Sequence, residues 1–140
     1  MKKVLIFLAI ALTGNCSFGQ TLQKGNVLGL NITAPNLKDG VSMEDYTNFF
    51  TGKMIPAYEK AFPGVKAYLI KSLRGQDDGS MGVIFIFSSE AARNKYFNDD
   101  GTLTKLGNEA SAKMGDADKE EDKYVTSPTA PDKYNDWLVE

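Results

Sequence analysis

The sequence predicts an α+β fold, a four-stranded antiparallel sheet with two helices on one face, and three observations predict it. Runs rich in β-branched, aromatic and aliphatic residues lie at Val27 to Ala34, Val65 to Arg74, Met81 to Phe87 and Tyr134 to Val139, several with period-two alternation. Two longer stretches between them repeat apolar side chains at i, i+3, i+4 and i+7, the stripe of a half-buried helix. Gly, Pro, Asn and Asp punctuate the joints. The order is therefore strand, helix, strand, strand, helix, strand, the ferredoxin-like βαββαβ arrangement.

The first nineteen residues read as an export signal. Lys2 and Lys3 precede the apolar run Val4 to Leu12, and Ser17-Phe18-Gly19 offers small residues where a signal peptidase cuts. The run is nine residues long, against about 20 needed to cross a bilayer. Cleavage after Gly19 implies a periplasmic or secreted protein with no membrane anchor. Cys16 also permits a lipid-modified N-terminus, but Thr13-Gly14-Asn15 fits a lipoprotein signal poorly. Gln20 to Asn26 is read as a flexible leader, and residues 27–140 as one domain.

Within that domain, Val27 to Ala34 places Leu28, Leu30, Ile32 and Ala34 on one face and Val27, Gly29, Asn31 and Thr33 on the other. Pro35 and the stretch Asn36 to Gly40 end it. Ser42 and Asp45 form a capping-box start for a helix whose stripe is Tyr46, Phe49, Phe50, Met54, Ala57, Tyr58 and Ala61. Pro56 lies inside that helix, with Gly52 four residues earlier, which predicts a kink without a break. Pro63-Gly64 closes it. Gly75 to Ser80 joins the second and third strands as a hairpin turn. Ser88-Ser89-Glu90 caps a second helix running through Phe97, interrupted at Asn98 to Gly101 and resumed from Leu103 to Met114, with Leu103, Leu106, Ala110 and Met114 inside. A charged stretch, Asp116 to Lys123, and a linker from Thr126 to Pro131 precede the last strand.

Composition excludes several chemistries. The chain has no histidine, and its only cysteine lies in the signal. Ser-His-Asp and Cys-His sites, Cys/His zinc sites and disulfides therefore cannot be built in the domain. Losing the signal leaves 14 basic against 18 acidic residues, a formal charge of −4. That balance, with dispersed lysines, points to neither nucleic-acid nor membrane-surface partners. No cofactor is expected. Asp116, Asp118, Glu120, Glu121 and Asp122 lack EF-hand spacing and are broken by Lys119 and Lys123, so they read as a solvated charge run and no metal site is expected. Lys71 and Arg74 read as a solvated strand edge, and Asp99-Asp100-Gly101 as a turn.

Both faces of the third strand are apolar, Val83, Phe85 and Phe87 alternating with Ile84 and Ile86, so a lone sheet would leave one greasy face open. A homodimer closed through that face is the expected remedy. Phe50 and Phe85 are expected in the core.

Three stretches then suggest a family: Met54-Ile55-Pro56-Ala57-Tyr58-Glu59 before Phe62-Pro63-Gly64-Val65, Phe87-Ser88-Ser89-Glu90-Ala91-Ala92-Arg93, and Tyr134-Asn135-Asp136-Trp137-Leu138-Val139. Together with the strand order, the chain resembles the dimeric α+β barrel superfamily, which includes antibiotic-biosynthesis-type monooxygenases and stress-responsive barrel proteins. The resemblance covers most of residues 27–139 and implies a dimeric barrel without identifying a reaction. In haem-degrading monooxygenases of that superfamily an Asn on the first strand works with a helix Trp and a His. Here Asn31 stands at the first position, Tyr96 where the Trp would fall, and no His exists. Asn31 would line the barrel interior; Asn31, Tyr96 and Trp137 are the catalytic candidates, and Asn31, Tyr68 and Trp137 the ligand-binding ones. For Trp137 a core or interface role is the simpler reading. Two functions stand side by side: a non-catalytic exported dimer with a small apolar ligand pocket, and a cofactor-independent monooxygenase-like or isomerase-like enzyme acting on a quinol-like or polycyclic substrate.

Overall fold

The computed structural model describes residues 21–76, 78–126 and 133–140. The export signal and most of the Thr126 to Pro131 linker lie outside the described residues. Four strands, β1 (Val27–Thr33), β2 (Lys66–Lys71), β3 (Met81–Phe87) and β4 (Lys133–Leu138), form one antiparallel sheet in the order β2-β3-β1-β4. This is the α+β, ferredoxin-like order that the sequence predicts.

The register sorts the side chains into two faces. Ala67, Phe85, Gly29 and Asp136 form one row across the sheet, and Leu69, Val83, Asn31 and Tyr134 the next. These rows face the helices: Val27, Ala67, Met81, Val83 and Phe87 are buried with Tyr46, Phe49, Phe50, Met54, Tyr96, Ala110 and Met114 in one core. The alternate rows, Lys66-Ile86-Leu28-Trp137 and Tyr68-Ile84-Leu30-Asn135, lie on the open face. Tyr68 is 47% and Trp137 59% exposed there.

The first helix begins as its capping box dictates. The Asp45 amide donates to Ser42 Oγ at 3.1 Å and the Ser42 amide to Asp45 Oδ2 at 3.2 Å. Helix α1 (Met43–Phe49) runs into a π turn (Phe50–Met54) and then α2 (Ile55–Ala61). The expected disturbance at Pro56 takes this form. A proline ring crowds the carbonyl four residues back, and the wider turn, in which the Ile55 amide donates to Phe50 O, carries the helix past it.

The second helical layer departs further from expectation. Helix α3 (Glu90–Arg93), capped by Ser89 Oγ accepting from the Ala92 amide at 3.1 Å, stops four residues before Phe97. Phe97 instead pairs with Leu103 in an isolated bridge, and the helix resumes as α4 (Lys105–Ser111), a 3₁₀ turn (Ala112–Met114) and α5 (Gly115–Glu121). Leu106 does not face inward; it is 47% exposed. Gly107 takes that contact, because a Cβ there would meet Tyr96 O at 2.1 Å, so only a glycine lets α4 sit this close.

The charged stretch is helical; Asp116, Asp118, Lys119, Asp122 and Lys123 are exposed as a solvated run would be, while Glu120 and Glu121 dock it against the first helix. Tyr46 Oη donates to Glu121 Oε1 at 2.9 Å, Lys53 Nζ pairs with Glu120 at 2.5 Å, and Tyr124 stacks on Phe49 at 4.4 Å between ring centres. The end of the expected leader is tied down too: the Gly25 amide donates to Val139 O and the Val139 amide to Asn26 O.

Candidate functional site

The structure does not gather the catalytic candidates. Asn31 lies on the helix-facing side of β1, not on the open face that a closed barrel would enclose, because it shares a row with Val83 and Leu69. Its Oδ1 is buried without a hydrogen-bond partner. Trp137 is on the opposite sheet face. Tyr96 is buried against Phe62, ring centres 5.2 Å apart, and its hydroxyl is spent on Pro63 O at 3.1 Å. The ligand-binding candidates Tyr68 and Trp137 share the open face but sit on strands at opposite edges. Arg74 is exposed. Asp100 accepts from the amide and hydroxyl of Thr102, which shapes the Asp99 to Gly101 turn. No cluster of three metal-ligating side chains occurs among the described residues.

A groove of about 410 Å³ lies elsewhere, between α1 and the ends of β2 and β3. Met43, Thr47 and Thr51 recur every four residues along the helix wall, and Leu69, Ile70 and Met81 form the strand wall. Both threonine hydroxyls are committed within the helix, Thr47 Oγ1 donating to Met43 O at 2.7 Å and Thr51 Oγ1 to Thr47 O at 2.8 Å. The lining is therefore apolar, with Glu44 and Lys71 as its only charges. Lys71 is thus a groove residue, which strand-edge reasoning missed. Its parity with Leu69 and Ala67 was the available signal.

The strongest polar cluster was also missed. Arg93 is only 6% exposed, and its guanidinium meets Asp136 Oδ2 at 2.7 Å while donating to Phe97 O at 3.1 Å and Asn98 O at 2.7 Å. Tyr134 Oη donates to Asp136 Oδ1 at 2.7 Å. Burial, with the Asp136 carboxylate beside it, pushes the Tyr134 hydroxyl up to about 12. A second groove, of about 370 Å³, borders this cluster. Arg93 thus holds the turn after α3 through Phe97 O and Asn98 O and ties it to β4 through Asp136, so the cluster is a structural clamp. No pattern in the chain pairs residue 93 with residue 136; only the fold does.

No family model and no curated protein matches this chain.

Proposed function

We propose that this protein is a non-catalytic exported homodimer that holds a small apolar ligand in the groove between α1 and the ends of β2 and β3. The observation that carries the reading is the groove itself. Its volume falls within the roughly 300–1,000 Å³ of small-molecule sites, and its walls offer methyl, methylene and thioether surface with no free hydroxyl. The separation of Asn31, Tyr96 and Trp137, and a composition without histidine, support a binding role over catalysis.

The dimer has separate support. Leu28, Leu30, Ile32, Ile84 and Ile86 line an open sheet face flanked by Tyr68 and Trp137, and contiguous apolar patches of this kind mark association surfaces. A second copy of the same face would cover it isologously. The oxygenase-like or isomerase-like reading retains one favourable observation, the unpartnered Asn31 Oδ1, whose demand for a donor a bound substrate would meet. Neither of the two grooves described above is lined by Asn31.

The test is titration with a neutral apolar probe, 1-hexanol, followed through the methyl resonances. Shifts at Met43, Leu69 and Met81, abolished by the groove-filling substitution Thr47→Phe, are expected. Absence of shifts there, or shifts confined to Leu28, Leu30 and Ile84, would overturn the groove as the binding site.

A further inference from the structure

The two charges at the groove rim narrow what it holds, an inference that rests on the ligand-binding reading above. Glu44 enters from the first turn of α1 and Lys71 from the last residue of β2, so facing walls of one groove carry opposite charges. They form no ion pair with each other, and neither has a hydrogen-bond or ion-pair partner among the described residues. The ion pairs among the described residues lie outside this groove. Lys53 pairs with Glu120, Lys66 with Glu59 and Arg93 with Asp136.

Beside the two free charges the walls present Met43, Leu69 and Met81, and the threonine donors are used up within the helix. An occupant complementary to this surface has an anionic group for Lys71, a cationic group for Glu44 and an apolar body for the methionine and leucine side chains. We propose that the groove binds a small apolar zwitterion, the chemistry of a free α-amino acid with a branched aliphatic or aromatic side chain. A purely apolar ligand would leave both charges unused; a simple fatty carboxylate would set its one charge between Lys71 and a repelling Glu44. A zwitterion satisfies both walls, and the groove volume suits a molecule of that size.

Calorimetric titration of the purified protein with four probes tests this. L-leucine carries both charges, 4-methylpentanoate lacks the ammonium, 3-methylbutylamine lacks the carboxylate, and 3-methylbutan-1-ol lacks both. Leucine is expected to bind at least about tenfold tighter than each of the others. Lys71→Met should bring leucine down to the amine's affinity, and Glu44→Gln down to the carboxylate's. Both variants should still bind the alcohol, which reports that the groove is intact. If all four probes bind alike, or the two substitutions leave leucine unaffected, the zwitterion is wrong and the apolar groove survives. If no probe binds, both readings fall.

Discussion

Replacing Asp136 by Ala strands a guanidinium, and the cost follows from where the two partners sit. The Arg93 side chain is 7% exposed and that of Asp136 28%, so the charge left behind is the more deeply buried one. Breaking a buried pair from one side costs about 3–5 kcal/mol. Here water can enter the space vacated by the carboxylate, which lowers the expected loss to about 2–3 kcal/mol. Arg93→Met removes the charge but leaves the Phe97 carbonyl without that donor, at about 1 kcal/mol or more, while the Asn98 carbonyl keeps the Gly101 amide. The double variant no longer buries an unpaired charge, so its loss should fall short of the sum by about 1.5–2 kcal/mol. Urea unfolding of the four proteins measures the cycle. An Asp136→Ala loss under about 0.5 kcal/mol, or strictly additive losses, would refute the clamp.

The remaining predictions concern packing and pH. Gly107→Ala drives a Cβ into Tyr96 O and should cost about 3 kcal/mol or more, read as a lowered denaturation midpoint. Phe50→Ala should cost about 3–5 kcal/mol by the same measurement, and Phe85→Ala less, because Phe85 is only half-buried against Tyr58. Burial raises the Glu121 carboxyl above its ordinary value of 4.5, with Asp118 and Asp122 adding to the shift and the Tyr46 hydroxyl opposing it. The folded chain thus holds that proton more tightly than the unfolded one. The contribution is full below the ordinary value and is lost as pH rises through the folded value. Glu121→Gln, which can still accept from Tyr46, should gain stability relative to wild type between pH 4 and pH 7; a constant difference across that range would contradict it.

Strand and helix periodicity made most of this fold legible, and the limits have physical causes. β3 matches its predicted bounds because seven consecutive residues, almost all apolar, leave little choice. Alternation alone does not say which face meets the helices. Ile84 points to the open face and Phe85 to Tyr58, a choice set by the pairing of Gly29 with Phe85 and of Leu30 with Ile84. The same parity turned Asn31 inward and away from Trp137. Helix α3 ends at Arg93, whose guanidinium folds back onto Phe97 O and Asn98 O while held by Asp136 on β4, a long-range pairing that no local propensity encodes. Likewise α5 contributes no buried residue of its own and is held through Tyr46 and Lys53, so its apolar period was absent. The groove was hidden for another reason: its walls come from separate segments, the first helix and the ends of two strands, and its polar residues are ordinary surface types.

Native mass spectrometry of the protein drawn from its own host tests the central claim most directly, because it reads assembly and occupancy together. The account predicts twice the chain mass, carrying a small adduct that is released on gentle activation and is absent from Thr47→Phe. A bare monomer under the same conditions would contradict both the covered sheet face and the ligand-holding groove.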